Sequence, residues 1–417
     1  MRLSFFIASG LASFLSVAGL PTVPSTPESS IKQIRNPLYK RDGVAALINL
    51  HQKYNIDLPE SLANSALARR DDTGTATNRP IEDGAEWLTP VQIGNPPTTF
   101  QMDLDTGSSD LWVYGSKAAA ASGSRTRYNS SESNSCQEMK GAKWFIEYGD
   151  GSSASGHVVT DTVSIGGLSV KSQAVQVADK VHESFARQKN VDGLLGLGFS
   201  SINTITPKKQ KTFFDHAKTE HSAGVFTADL QHDAPGTYSF GFINKTTYMG
   251  DIAYTPVDPS NGMWTFTSTG FAAGTDKVNK TSITAIADTG TSLIWLPELV
   301  NKAYYAQVEG AKVDETAGGW VFPCDAKLPD FTFNIGDKGI TVPGSYMNYA
   351  SVEGPQGPEG TENKRAAAGS GSCFGGLQSS EGTDLNILGD IALKAAFVVF
   401  DAEKTRIGFA EKMLSGI

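Results

Sequence analysis

The chain has 417 residues, 39% apolar and 19% charged, with 21 Phe, 12 Tyr and 6 Trp; this excludes an intrinsically disordered protein and exceeds what one ordinary core organises. Net charge is −9, yet residues 1–70 hold eight Lys and Arg against four Asp and Glu, so the remainder carries −13. An acidic body behind a basic leader argues against nucleic acid as a partner.

Residues 1–20 combine Arg2, an apolar run and small residues near Ala18, the pattern of a secretory signal. No later run is apolar and long enough to span a bilayer, so no membrane partner is expected and the product is expected to be secreted. Residues 21–70 carry a helical pattern from Val44 to Tyr54 and basic pairs at Lys40–Arg41 and Arg69–Arg70. This arrangement reads as a propeptide cut at a dibasic site; the alternative is a small helical subdomain that stays attached.

Past the polar DDTGTATNRP, the pattern changes to short runs of Val, Ile, Thr, Phe and Tyr, such as WLTPVQIG, TTFQMDLD, WFIEYGDG and AAFVVFDAEKTRIGFA. Their spacing predicts an all-β body, with helices only around KTFFDHAK and LPELVNKAYYAQVEG. Two polar stretches, residues 116–135 and 351–372, are expected to be exposed loops. Asn129, Asn244 and Asn279 each begin an N-x-S/T sequon and are candidate glycosylation sites.

Three cysteines are too few for a disulfide framework. Cys324 and Cys373 flank a strand-rich segment and can pair, closing a loop of roughly 50 residues worth up to about 4 kcal/mol. Cys136 is then left without a role.

The chain repeats itself. DTGSSDLW from Asp105 lies over DTGTSLIW from Asp288, each after an apolar run. Downstream, LLG at Leu194–Gly196 and ILG at Ile387–Gly389 recur in the same order. Two related β lobes are therefore expected, residues 71–255 and 256–417.

Two lobes related by an approximate twofold axis can bring the repeated turns face to face, so that Asp105 and Asp288 share one site. Two carboxyl groups in contact cannot both ionise cheaply, so one pKa falls and the other rises. Such a pair takes a proton from water while donating another to a substrate carbonyl, which suits direct hydrolysis of a peptide bond without a cofactor. Gly107 and Gly290 would permit the close approach of the turns, Ser108 and Thr291 would place hydroxyls beside the carboxylates, and Thr106 and Thr289 would bond across the lobe boundary.

On these motifs the chain resembles the pepsin-type aspartic endopeptidases, most of all the secreted fungal aspergillopepsins and penicillopepsins. The resemblance runs from EWLTPVQIG to TRIGFAEK and includes FIEYGDGSSASG, DGLLGLGFSSINT and NILGDIALKAAFVVFD. It implies a bilobal fold, a cleft between the lobes, a β-hairpin flap over it, and a monomer acting on proteins and peptides. In the flap, formed by Tyr148, Gly149, Asp150 and Ser152, Tyr148 would face Trp112 across the cleft. Asp150 would accept a substrate Lys beside an otherwise apolar preference. Asp103 would either add to that negative pocket or serve as a structural hydrogen-bonding group. The resemblance also implies a propeptide held in the cleft by a basic side chain until acid weakens its ion pairs. QKYN matches the inhibitory Lys-Tyr segment, making Lys53 the candidate for that role, against a solvated helix residue.

The chain departs from the family pattern in having a lone first-lobe cysteine and a long 351–372 loop containing Lys364–Arg365. A catalytically silent binding protein on the same fold is the rival reading; it would normally have lost one Asp, and both are present. A metal site is not expected, since six His are scattered without H-E-x-x-H, and the twelfth position from Asp103 is Tyr114 rather than a calcium-binding Glu. A serine hydrolase is disfavoured by the absence of a G-x-S-x-G elbow.

Overall fold

The computed structural model describes residues 29–37, 39, 41–60, 62–63, 86–118, 125–147, 153–182, 190–219, 223–352 and 371–415. The secretory signal, Lys40, Arg69–Arg70, Lys364–Arg365 and the flap residues Tyr148, Gly149, Asp150 and Ser152 lie outside them.

The architecture is mostly β and bilobal. The leader supplies β1 (Ser29–Lys32), β2 (Ile34–Asn36) and α1 (Gly43–Lys53). The body begins with β3 (Glu86–Ile93), β4 (Thr98–Asp105), β5 (Leu111–Tyr114), β6 (Gln137–Glu147), β7 (Ser153–Ile165), β8 (Leu168–Val181) and β9 (Gly193–Gly196). These form an eight-stranded sheet ordered β2-β3-β4-β9-β5-β8-β7-β6. An eleven-stranded sheet runs from β1 through Thr237–Phe240, Val225–Asp229, Phe397–Asp401 and Arg406–Glu411 to strands of the second half. The two helices expected in the body are short, Phe213–Ala217 and Glu298–Tyr305.

The sequence repeat is a structural repeat. β4 runs parallel to β9, with Asp105 opposite Gly196, and β5 returns antiparallel to β9 with Leu111 opposite Leu195. In the second half Ile283–Ala287 runs parallel to Ile387–Leu388, and Ile294–Leu296 pairs antiparallel to the same strand. In each half the LLG or ILG strand is wedged between the two arms that flank a D-T-G turn. The run before Asp105 alternates, burying Phe100, Met102 and Leu104 with Gln101 and Asp103 on the half-buried face, whereas Ile283–Ala287 before Asp288 is buried but for Thr284.

The leader's strands pair with the first half, and α1 packs on Asn348–Ser351 and Ser372–Gly375 of the second. β1 pairs with Thr237–Phe240 and β2 with β3. α1 is started by Asp42, whose carboxylate accepts from Ala45 N at 3.0 Å, and carries His51 and Lys53 in its last turn, where cations suit the dipole. Val44, Leu47 and Ile48 are buried. Each such aliphatic group contributes about 2 kcal/mol before ordering costs.

The 116–135 stretch is not simply an exposed loop. Arg125 and Tyr128 are buried, with the Arg125 guanidinium 4.5 Å from the Tyr114 ring centroid and the Tyr128 hydroxyl donating to Asp161 at 2.6 Å. A buried carboxylate and an aromatic floor recruit polar residues whose sequence context reads as solvent-exposed. Cys324 and Cys373 form a disulfide with Cα atoms 4.9 Å apart, and Cys136 is free.

Candidate active site

Each D-T-G turn ends a strand and folds its carboxylate back onto its own backbone. Asp105 Oδ1 accepts from Gly107 N at 2.8 Å and Oδ2 from the Ser108 hydroxyl at 2.6 Å. Asp288 repeats this, with Gly290 N on Oδ1 at 3.0 Å and the Thr291 hydroxyl on Oδ2. The turns are locked to each other by a reciprocal exchange: Thr106 N donates to Thr289 Oγ1 at 3.1 Å, and Thr289 N donates to Thr106 Oγ1 at 3.0 Å. Both hydroxyls then donate across the boundary, Thr106 to Ala287 O at 2.8 Å and Thr289 to Leu104 O at 2.6 Å.

This lock brings residues 183 positions apart into one site. A Cβ at Gly107 would fall 2.6 Å from Asp288 Oδ1, and one at Gly290 would fall 2.4 Å from Asp105 Oδ1. Each glycine is therefore the face on which the opposite carboxylate rests, and no larger residue fits. Asp105 and Asp288 are both fully buried.

Lys53 and Tyr54 occupy the mouth of the pair. Lys53 Nζ lies 2.7 Å from Asp105 Oδ1, and 3.0 and 2.9 Å from Oδ1 and Oδ2 of Asp288. The Tyr54 hydroxyl donates to Asp288 Oδ2 at 2.5 Å. Burial lifts the Asp105 carboxyl above its ordinary value; Asp288 adds to the lift and Lys53 opposes it. Burial acts in the same sense at Asp288, but there the Lys53 charge, the neighbouring Asp105 and hydrogen bonds from Thr291 and Tyr54 outweigh it and hold the group below its ordinary value. Lys53 is held well above its ordinary value, because the two carboxyl groups together outweigh the cost of its burial.

The other residues singled out from sequence fall around this centre. Trp112 is buried, its ring 5.1 Å from Tyr114 and 6.1 Å from Trp144. Asp103, opposite Leu194 on β4, is half-buried. The three sequons share one turn: Asn129, Asn244 and Asn279 each accept, through the side-chain oxygen, from the hydroxyl two residues on at 2.8 Å.

Sequence reasoning missed Tyr54 as a ligand of the dyad, Leu62, which is fully buried in the core beside Gly318, and Asp110. Asp110 sits five residues after Asp105 and is buried, its Oδ1 accepting from Asn203 Nδ2 at 2.7 Å and Thr204 N at 2.9 Å. Burial without a cationic hydrogen-bond partner pushes its carboxyl up to about 6. The signal was its place in DTGSSDLW, where the repeat has Leu293.

Two buried carboxyl groups on mirrored, interlocked turns between two β lobes are the constellation of an aspartic protease, and residues 86–412 match the eukaryotic aspartyl protease family model. The chain belongs to that family. It is 50% identical over 409 residues to endothiapepsin of Cryphonectria parasitica, covering 94% of each chain. It is also 43% identical to aspergillopepsin-1 of Aspergillus oryzae, covering 97% of this chain and 98% of the relative. With penicillopepsin-3 of Penicillium janthinellum the identity is 42%, over 98% of both chains. It is an aspartic endopeptidase, and its substrates are proteins and peptides.

Proposed function

We propose that the chain is the inactive precursor of a secreted, monomeric acid endopeptidase in which residues 1–20 are the signal, 21–70 the propeptide, and 71–255 and 256–417 the two lobes. The observation that carries this reading is Lys53 Nζ within 3.0 Å of both carboxyl groups, where a substrate-activating water would have to sit. The ammonium takes the position the water needs and, by stabilising the ionised carboxylates, makes them poorer bases toward it.

Once Lys53 and Tyr54 depart, the pair holds a single proton over an acidic range. The ionised member takes a proton from water as its oxygen attacks the peptide carbonyl carbon, while the protonated member gives its proton to the carbonyl oxygen. The resulting gem-diol collapses with a proton passing to the leaving nitrogen as the C–N bond breaks. Ser108 and Thr291 hold the outer carboxylate oxygens so that the inner ones face the water. Which aspartate acts first as base is a property of the coupled pair. Tyr148 and Trp112 are the flap tyrosine and its partner over an apolar substrate, and Asp150 extends acceptance to Lys, with Asp103 either adding to that negative charge or serving as a structural hydrogen-bonding group. The three sequons are glycan acceptors if the chain passes through a secretory pathway.

The test is a peptide-library digest by the full-length protein, before and after acid treatment, with and without pepstatin. Expected is no cleavage at neutral pH with the leader intact, then pepstatin-sensitive cleavage at apolar and Lys sites in acid. Cleavage by the intact chain at neutral pH would refute the precursor assignment.

A further inference from the structure

α1 turns one stripe toward the body, residues 44, 47, 48 and 51 at the i, i+3, i+4, i+7 spacing of a buried helix face. The first three are aliphatic. The fourth is His51, only 7% exposed. Its Nδ1 lies 3.1 Å from the carbonyl oxygen of Asp57, so Nδ1 carries the proton of the neutral ring. The ring meets the indole of Trp295 at a centroid distance of 5.3 Å and an interplanar angle of 61°. A second proton must therefore go to Nε2 of a ring almost wholly removed from water.

No carboxylate comes from the strands packed on α1: Asn348–Ser351 carries Tyr349, whose hydroxyl meets that of Tyr39 at 3.1 Å, and Ser372–Gly375 carries the disulfide-bonded Cys373. The strand Ile294–Leu296 and its neighbours Leu377–Ser379 and Ile387–Leu388 carry no titratable side chain. On the leader, Lys53 and Tyr54 are committed to the dyad, and Asp57 is exposed. Among the described residues no carboxylate forms an ion pair with His51.

We propose that His51 is the acid sensor of the leader: protonation of its buried imidazole against Trp295 unseats α1 and draws Lys53 and Tyr54 off Asp105 and Asp288. This rests on the reading of residues 21–70 as a removable propeptide and names the group that makes its release depend on pH. The Lys53 contact is not the whole trigger: Asp105, lifted by burial, gives up its charge first as pH falls, while Asp288, held below its ordinary value, keeps its bond to Lys53 further into acid. Burial lowers the His51 pKa below 6.5, partly opposed by the carbonyls of Asp57 and Ile56. A base with a depressed folded pKa favours the docked state fully above its free value, and that contribution is lost as pH drops through 6.5 and below. The imidazole thus adds, on α1, a titration separate from that of the dyad, and Asp288 still holds Lys53 when it begins.

The experiment uses the full-length protein as wild type, His51→Gln and His51→Phe, and follows pepstatin binding and leader cleavage from neutral pH down to about pH 4. Wild type is expected to open as pH falls below 6.5, whereas both variants stay closed to lower pH and convert several-fold more slowly. The matured forms of all three should have the same kcat/KM. Variants that open at the wild-type pH and rate overturn the proposal. Should a variant open at neutral pH, its seat is lost and histidine-selective NMR of wild type decides. A His51 titration below 6.5 that coincides with opening supports the sensor, and one at or above 6.5, with Trp295 stabilising the imidazolium, overturns it. Wild type that binds pepstatin at neutral pH with its leader attached instead removes the propeptide reading itself.

Discussion

The two D-T-G turns have the same strand pairing, the same glycine N–H on the same carboxylate oxygen and the same threonine exchange, yet they are anchored differently at their sixth residue. In the first turn that residue is Asp110, tied to Asn203 and Thr204; in the second it is Leu293, fully buried among apolar neighbours. Two ways of holding one turn teach that the geometry at the carboxylate is what the fold protects. The support behind it is free to be polar or apolar, and the choice sets how each half responds to pH.

The comparison breaks most completely at the carboxylates. Asp105→Asn or Asp288→Asn should lower kcat/KM of the acid-treated enzyme by roughly 10²–10⁴-fold or more, whichever is changed, because neither half can move a proton without the other. A variant retaining a tenth or more of the activity would show that the two aspartates do not act as one unit.

Next in size is the polar anchor. Asp110, pushed up to about 6, favours the fold while protonated and withdraws that support as pH rises from 3.8 toward 6, where the buried group must ionise. Asp110→Asn keeps the acceptor oxygen and should raise stability at pH 7 by up to about 2–3 kcal/mol, with little change in strong acid. Asp110→Leu, copying the second turn, should destabilise at every pH, since Thr204 N and Asn203 Nδ2 lose their acceptor. Denaturant melts of the matured enzyme across pH read both; a pH-independent effect of the Asn variant would contradict the ionisation argument.

The smallest effect tests the symmetry directly. Thr106→Val and Thr289→Val each orphan one buried N–H of the reciprocal exchange and should cost about 1–3 kcal/mol apiece, equal within error. Unequal melting shifts would mean that one turn carries the other.

Much of this could be read from the chain. The repeated D-T-G and the LLG and ILG segments identified the two halves, and the Val44–Tyr54 periodicity located α1 to within a residue. Lys53 drew notice through its Lys-Tyr context, while Tyr54 beside it did not, because a tyrosine in a helical turn carries no local sign of what its hydroxyl touches. Asp110 was legible only as a mismatch in the repeat, and its burial was not. The 116–135 stretch misled because its polar residues find partners in Asp161 and Tyr114, which are distant in sequence.

The sequence by itself determined what is local or repeated: the β alternation, the glycine-bearing turns, and the apolar stripe that leads to His51. Tertiary structure alone decided that Asp105 and Asp288 meet, that an ammonium lies between them, and that His51 is shut against Trp295. Periodicity records which face of an element is buried, but a shared proton or a displaced one depends on distances of a few ångströms between residues that only packing brings together.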